Sequence, residues 1–117
     1  MRTIDTTQLN ELRRQNDHLA IVNVLPQEQF LHRHIPGSKN VPLSEADFAE
    51  KVANTIGGKD EPVIVYCASE ECDASEKAAK KLDEVGFEDV HDYVGGMRAW
   101  QESGEPVQAG ARSGSLG

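Results

Sequence analysis

The stretch Pro62-Val63-Ile64-Val65-Tyr66-Cys67-Ala68-Ser69-Glu70-Glu71-Cys72-Asp73-Ala74-Ser75-Glu76-Lys77-Ala78-Ala79 constrains the chain more than any other. Its first six residues are a short apolar, β-branched run, the pattern of a strand buried on both faces of a parallel sheet. From Asp73 onward the residues are helix formers, with Ala78, Leu82 and Val85 at helical spacing on one side and Lys77, Lys80, Lys81 and Glu84 on the other. The loop between strand and helix opens with a cysteine. A thiol there faces a helix N-terminus, where backbone N–H groups and the helix dipole favour negative charge. Such a setting lowers a thiol pKa and makes a nucleophile. The alternative is a small buried core cysteine; the position at the strand end favours chemistry.

The same alternation runs along the rest of the chain. Arg2 to Ile4 reads as an edge strand, and Asp5 with Gln8 reads as a helix N-cap with its capping-box partner, opening a helix to about Gln15. Leu19 to Val24 is a second buried strand, Pro26 opens a short helix over 27–31, and Lys39 to Val41 is a brief strand. Ser44 is expected to cap a helix running to about Asn54, stopped by Gly57-Gly58. After the central unit, Phe87 to Tyr93 is the last strand, Gly95-Gly96 a turn, and Met97 to Glu102 a short helix. Strands alternating with helices imply one α/β domain with a central, mainly parallel sheet of about five strands and helices on both faces. Its ligand site belongs at the carboxyl ends of the strands. Residues 108–117 are mostly Gly, Ala and Ser and read as a disordered tail.

Composition narrows the function classes. A chain of 117 residues buries roughly two-thirds of its unfolded surface without metals or disulfides, and two cysteines five apart are no disulfide framework. With 12 Lys+Arg against 20 Asp+Glu, the net charge of -8 disfavours nucleic acid and anionic membranes as partners. No run of about eighteen apolar residues and no secretory leader is visible. The expectation is a cytoplasmic protein.

Three segments carry a resemblance: His34-Ile35-Pro36-Gly37-Ser38-Lys39-Asn40-Val41-Pro42, the Val63 to Cys67 strand with its loop, and Gly95-Gly96-Met97-Arg98-Ala99-Trp100 followed by Gly104-Glu105-Pro106-Val107. In this order and spacing the chain resembles the rhodanese-like (sulfurtransferase) family in a single-domain form, spanning residues 1–107. The resemblance implies an enzyme whose cysteine accepts a sulfane sulfur as a persulfide and passes it to a nucleophile. It places Cys67 as that cysteine and maps the family's six-residue active loop onto Cys67, Ala68, Ser69, Glu70, Glu71 and Cys72. It implies no cofactor, and partners that are a sulfur donor and acceptor, either a small thiol or a protein persulfide. Two displacements by a thiolate need only an activated Cys and a cradle of N–H donors.

The departures sharpen these expectations. Where the family shows Asp-Val-Arg after the second strand, this chain has Asn23-Val24-Leu25. Where thiosulfate-using members place Arg or Lys in the loop, it has Glu70 and Glu71, with Asp73 just beyond. Each unit-charge pair at about 4 Å is worth about 1 kcal/mol in water and more at lower dielectric. Thiosulfate is therefore expected to be a poor donor, and a cationic or protein-bound donor is favoured. The same carboxylates should raise the Cys67 pKa. Cys72, at the last loop position, is expected to act as a resolving thiol. The bland reading of Cys72 is a small residue packed under the loop. Arg98 is retained as a cation facing the cleft.

His34 is expected to hold backbone carbonyls and Trp100 to be core, while Ser69 and Ser75 either cap the following helix or help cradle sulfur. A metal site on His32, His34 and the two cysteines lacks the ligand spacing of structural zinc. A cysteine phosphatase or arsenate reductase needs an Arg six residues after the cysteine, where this chain has Asp73. Two further readings stay open: a non-catalytic binding or regulatory module that docks a basic partner, and a Cys67–Cys72 dithiol redox switch.

Overall fold

In a computed structural model of the protein, which describes residues 1–110, the capping box at Asp5 is formed. Asp5 Oδ1 accepts the Gln8 N–H at 2.8 Å and Gln8 Oε1 accepts the Asp5 N–H at 2.9 Å. The strand Arg2–Ile4 (β1) therefore turns at once into the helix Thr6–Gln15 (α1). There follow Ala20–Asn23 (β2), Gln27–His32 (α2), Lys39–Asn40 (β3), Phe48–Ile56 (α3), Val63–Tyr66 (β4), Ala74–Glu84 (α4), Val90–Tyr93 (β5) and Gly96–Glu102 (α5).

The strands form one five-stranded sheet in the order β1-β5-β4-β2-β3, with every neighbouring pair parallel. β4 lies in the middle and all four of its residues are buried, as an unbroken apolar run in a parallel sheet requires. Successive side chains alternate faces. Val63, Val65 and Cys67 pack with Phe48 and Val52 of α3 and Ala78, Ala79 and Leu82 of α4. Ile64 and Tyr66 pack with Leu9 of α1 and Met97 and Trp100 of α5. Trp100 is fully buried, as expected, with its indole N–H donating to the Pro106 carbonyl at 2.7 Å.

The structure departs from the sequence reading at element ends. Ser44 caps nothing: the chain makes tight turns, Glu45 N–H to Pro42 O and Phe48 N–H to Glu45 O, and α3 starts only at Phe48, after Asp47. β5 begins at Val90, not Phe87, because Phe87 N–H bonds back to Leu82 O and Glu88 N–H reaches Lys59 O. Val85 lies past the end of α4 and is 40 % exposed rather than core. Gln108 to Gly110, read from composition as the start of a tail, are held: Gln108 forms an antiparallel bridge with His34, and Gly110 N–H donates to Leu31 O at 2.8 Å. The remainder of that tail lies outside the described residues.

Candidate active site

Cys67 is the first residue after β4, at the carboxyl edge of the sheet's central strand, and it is fully buried. Its thiol donates to the Cys72 carbonyl at 3.3 Å and to Ser75 Oγ at 3.5 Å, and lies 3.9 Å from the Ser69 carbonyl. The Ser75 backbone N–H, in the first turn of α4, also bonds to the sulfur, and the Cys72 thiol lies against it. Burial pushes the Cys67 pKa up, the hydrogen bond with Cys72 adds to this, and the Ser75 hydroxyl and N–H oppose it without winning. The lowered thiol pKa expected from the helix terminus is thus overturned. The cause is desolvation rather than the loop carboxylates.

The loop is anchored from the α5 side. Met97 N–H donates to the Cys67 carbonyl at 3.0 Å and Arg98 N–H to the Ala68 carbonyl at 2.8 Å. So close an approach requires Gly96, which adopts φ +60°; a Cβ there would sit 2.4 Å from the Cys67 carbonyl oxygen. Within the loop, Cys72 N–H closes a turn onto Ser69 O at 3.0 Å, and Ser69 Oγ accepts the Glu71 N–H at 3.3 Å. Neither serine caps α4: Asp73 holds that position without a side-chain bond, and Ser75 Oγ serves the thiol instead.

The rim is acidic. Glu70 and Glu71 are exposed and, with Ser69 and Arg98, line a polar cleft of about 440 Å³. Arg98 faces that cleft but is drawn between two carboxylates, Glu71 at 3.7 Å and Glu102 at 3.4 Å. Asp73 pairs with Lys77 at 3.2 Å, and Lys80 with Glu76 at 3.3 Å.

On the other side of the loop lies a cleft of about 400 Å³, floored by Leu25, Ala68 and Met97 and rimmed by Glu28, Gln29, His32 and Arg33. Leu25 makes this floor apolar. It is held there by a neutral network in which Asn23 Oδ1 accepts the Leu25 N–H at 2.9 Å and Asn40 Nδ2 donates to the Leu25 carbonyl at 2.9 Å. His34 is buried, stacked on Phe30, with Nδ1 donating to the Phe30 carbonyl at 2.8 Å. It holds backbone, as expected, and sits apart from the sulfur. Among the described residues, no group of three or more His, Cys, Asp or Glu is placed to hold a metal ion.

One further residue belongs to the site. Asp92 of β5 is 3 % exposed, on the same sheet face as Val90, and shares a cleft with Ser75. Its Oδ1 has no partner among the described residues. Burial pushes its pKa up, the nearby Ser75 hydroxyl opposes this, and the charge of Glu76 adds to the rise. Asp92, Ser75 and Cys72 together line a small cleft of about 240 Å³. The signal was present in the sequence as a carboxylate between Val90 and Tyr93 in the last strand, where buried ionisable side chains are rare unless paired.

Comparison with known proteins identifies the family. A family model for the rhodanese-like domain matches residues 5–103. The chain is 32% identical over 99 residues to an HTH-type transcriptional regulator of Mycobacterium tuberculosis, a match that covers 85% of this chain and 42% of the regulator. It is 35% identical over 97 residues to the chloroplastic thiosulfate sulfurtransferase 16 of Arabidopsis thaliana, covering 75% of this chain and 78% of that protein. A solved structure, a rhodanese with anions from E. coli, superposes with a TM-score of 0.63 at 28% identity, covering 78% of this chain and 98% of that one. The chain spans less than half the length of the first curated relatives it matches. With the sheet order, the strand-end cysteine and the matched residues in agreement, the chain belongs to the rhodanese-like domain family.

Proposed function

We propose that the protein is a cytoplasmic sulfurtransferase that carries a sulfane sulfur as a persulfide on Cys67, with Cys72 as its resolving thiol. The observation that carries this reading is the setting of the Cys67 sulfur. It lies at the end of the central strand, with the Ser75 N–H and hydroxyl on one side and the Cys72 thiol on the other. The Cys67 thiolate attacks the sulfane sulfur of a donor; the donor's S–S bond breaks, its thiolate leaves, and Cys67 carries an anionic persulfide. An acceptor thiolate then takes the outer sulfur and restores the Cys67 thiolate. Alternatively, the Cys72 thiolate attacks the inner sulfur, forming a Cys67–Cys72 disulfide and releasing hydrosulfide; an external thiol then reduces the disulfide.

The acidic rim of Glu70, Glu71 and Asp73, with Arg98 already paired, opposes a dianion such as thiosulfate. It favours a donor that is cationic or presented on a basic protein surface. Intact mass after incubation with thiosulfate and with a cysteine-desulfurase persulfide tests the reading. The expected result is one added sulfur from the protein persulfide, little from thiosulfate, and none in Cys67→Ser. If Cys67 gains sulfur from neither donor, the enzyme reading fails.

A second reading, a non-catalytic regulatory module, is favoured by the match to a transcriptional regulator and by the loss of both charges at Asn23 and Leu25. It becomes the better account if no sulfur is carried.

A further inference from the structure

We propose that the cleft of about 240 Å³ beside the loop binds the ammonium group of a small aminothiol, with Asp92 as its acceptor, and so presents that thiol to Cys72. The aminothiol is then the external thiol that reduces the Cys67–Cys72 disulfide, a role that rests on Cys72 resolving the persulfide. Its thiolate attacks the Cys72 sulfur, the S–S bond breaks, and Cys67 leaves as the thiolate. A second aminothiol thiolate attacks the sulfur of the first and Cys72 leaves in turn. The products are two protein thiolates, which take up the protons the aminothiols lost, and the disulfide of the aminothiol.

Burial and charge point to the site independently. Asp92 is 3 % exposed and lines the cleft, yet its Oδ1 has no partner among the described residues. A buried carboxylate oxygen without a donor is costly, and an N–H donor entering the cleft removes that cost. Glu70, Asp73 and Glu76 stand exposed around the same cleft. Asp73 is matched by Lys77 at 3.2 Å and Glu76 by Lys80 at 3.3 Å, while the Met1 amino group is drawn to Asp83 at 3.4 Å. Glu70 and Asp92 are left without an ion-pair partner among the described residues.

These features select the ligand. Among the described residues no three His, Cys, Asp or Glu side chains are placed to hold a metal ion, so the complement is a cation that brings its own N–H donors. A primary ammonium supplies three. The cleft is smaller than a site for a drug-sized molecule, which suits a short amine. Cys72 lines the cleft together with Asp92, whereas Cys67 is fully buried and does not. A thiol carried by the bound amine therefore meets the Cys72 sulfur of the disulfide, and Cys67 is the group that leaves.

The test uses methanethiosulfonate reagents, which leave their thiol half on a cysteine as a mixed disulfide and need no sulfur donor. The aminoethyl, trimethylammonioethyl and neutral methyl reagents are compared on the reduced protein, each rate divided by that for free mercaptoethanol. Modification of Cys72 is read by peptide mass after cleavage at Glu70 and Glu71, which separates it from Cys67. Both cations feel the acidic cleft, but only the aminoethyl group donates hydrogen bonds, so it should be favoured over the trimethylammonio group by about tenfold. Glu70→Gln should slow both cations together, and Asp92→Asn should cut the preference between them several-fold. The unreactive thioether of aminoethanethiol should protect Cys72 in the parent protein, and the thioether of mercaptoethanol should not. Equal rates for the two cations, or equal protection by the two thioethers, overturn the proposal without need of a variant. A preference that survives Asp92→Asn unchanged overturns it too, because size alone would then explain it. Since the reagents act on a thiol that carries no sulfur, failure here is read separately from failure of Cys67 to accept sulfur.

Discussion

Gly96 lies so close to Cys67 that a side chain on one would displace the other: a Cβ at Gly96 falls 2.4 Å from the Cys67 carbonyl oxygen and 2.9 Å from the backbone of Ala68 and Ser69. All these neighbours are backbone, so none can rotate away. The positive φ of Gly96 lets the α5 amides of Met97 and Arg98 reach the loop carbonyls. The loop that opens with Cys67 is thereby pinned by a second, distant segment of the chain.

Gly96→Ala is accordingly expected to cost more than about 2 kcal/mol, the left-handed penalty plus the clash. Gly86→Ala is the control, because Gly86 also has a positive φ, +99°, but open space around its missing Cβ. Its cost should be about 1 kcal/mol. Urea unfolding of both measures the difference, and only Gly96→Ala should also impair sulfur loading of Cys67.

Much of this arrangement was legible in the sequence. The capping box at Asp5, the all-buried run Val63–Tyr66 and the helix after Asp73 are local signals of pattern and cap chemistry, and each formed where expected. The start of α3 was not legible, because Ser44 is a good cap in isolation while burial of Phe48 and the i→i+3 turns before it set the real boundary. The cause of the raised Cys67 pKa was missed for a similar reason, since the sequence suggested the loop carboxylates where burial is the largest cause. A helix terminus can be seen in a sequence, whereas the depth at which the thiol sits is decided by α3 and α4 closing over the sheet. Asp92 was overlooked because its neighbour, Ser75, lies on another element and meets it only once β5 pairs with β4.

The acidic rim makes a directional prediction about donors. In Glu70→Lys/Glu71→Lys, two repulsive charges become attractive and Arg98 is freed from Glu71. Loading of Cys67 from thiosulfate should rise about tenfold or more. Added salt should narrow the gap between variant and parent, since exposed charges are screened within about 8 Å at physiological ionic strength. A loading rate that is unchanged at low salt would show that the rim does not select the donor.

The proposed resolving role of Cys72 makes a prediction about the lifetime of a Cys67 persulfide. With no external thiol present, a Cys67 persulfide should decay to a protein lighter by two hydrogens, the Cys67–Cys72 disulfide, as hydrosulfide appears in solution. In Cys72→Ser that route is closed, and the lifetime should lengthen by about tenfold or more. Intact mass over time, with a hydrosulfide probe, follows both products. Equal lifetimes in the two proteins would leave Cys72 as a packing residue.

Asp92 should destabilise the folded protein at neutral pH, and the sign follows from its titration. Burial raises the carboxyl pKa in the folded state above its unfolded value, so the folded protein holds the proton more tightly. Stability from this group is fully present below the unfolded pKa and is lost as pH rises through the folded one, because the unfolded chain binds fewer protons in that window. Asp92→Asn removes the buried charge and keeps the shape. It should raise the melting temperature at neutral pH by a few degrees, and the gain should shrink to nothing as the pH falls below about 4. Thermal unfolding of both proteins across that range is the measurement. A pH-independent difference would mean that folding does not shift the Asp92 pKa, and a loss of stability at neutral pH would mean that its charge is compensated.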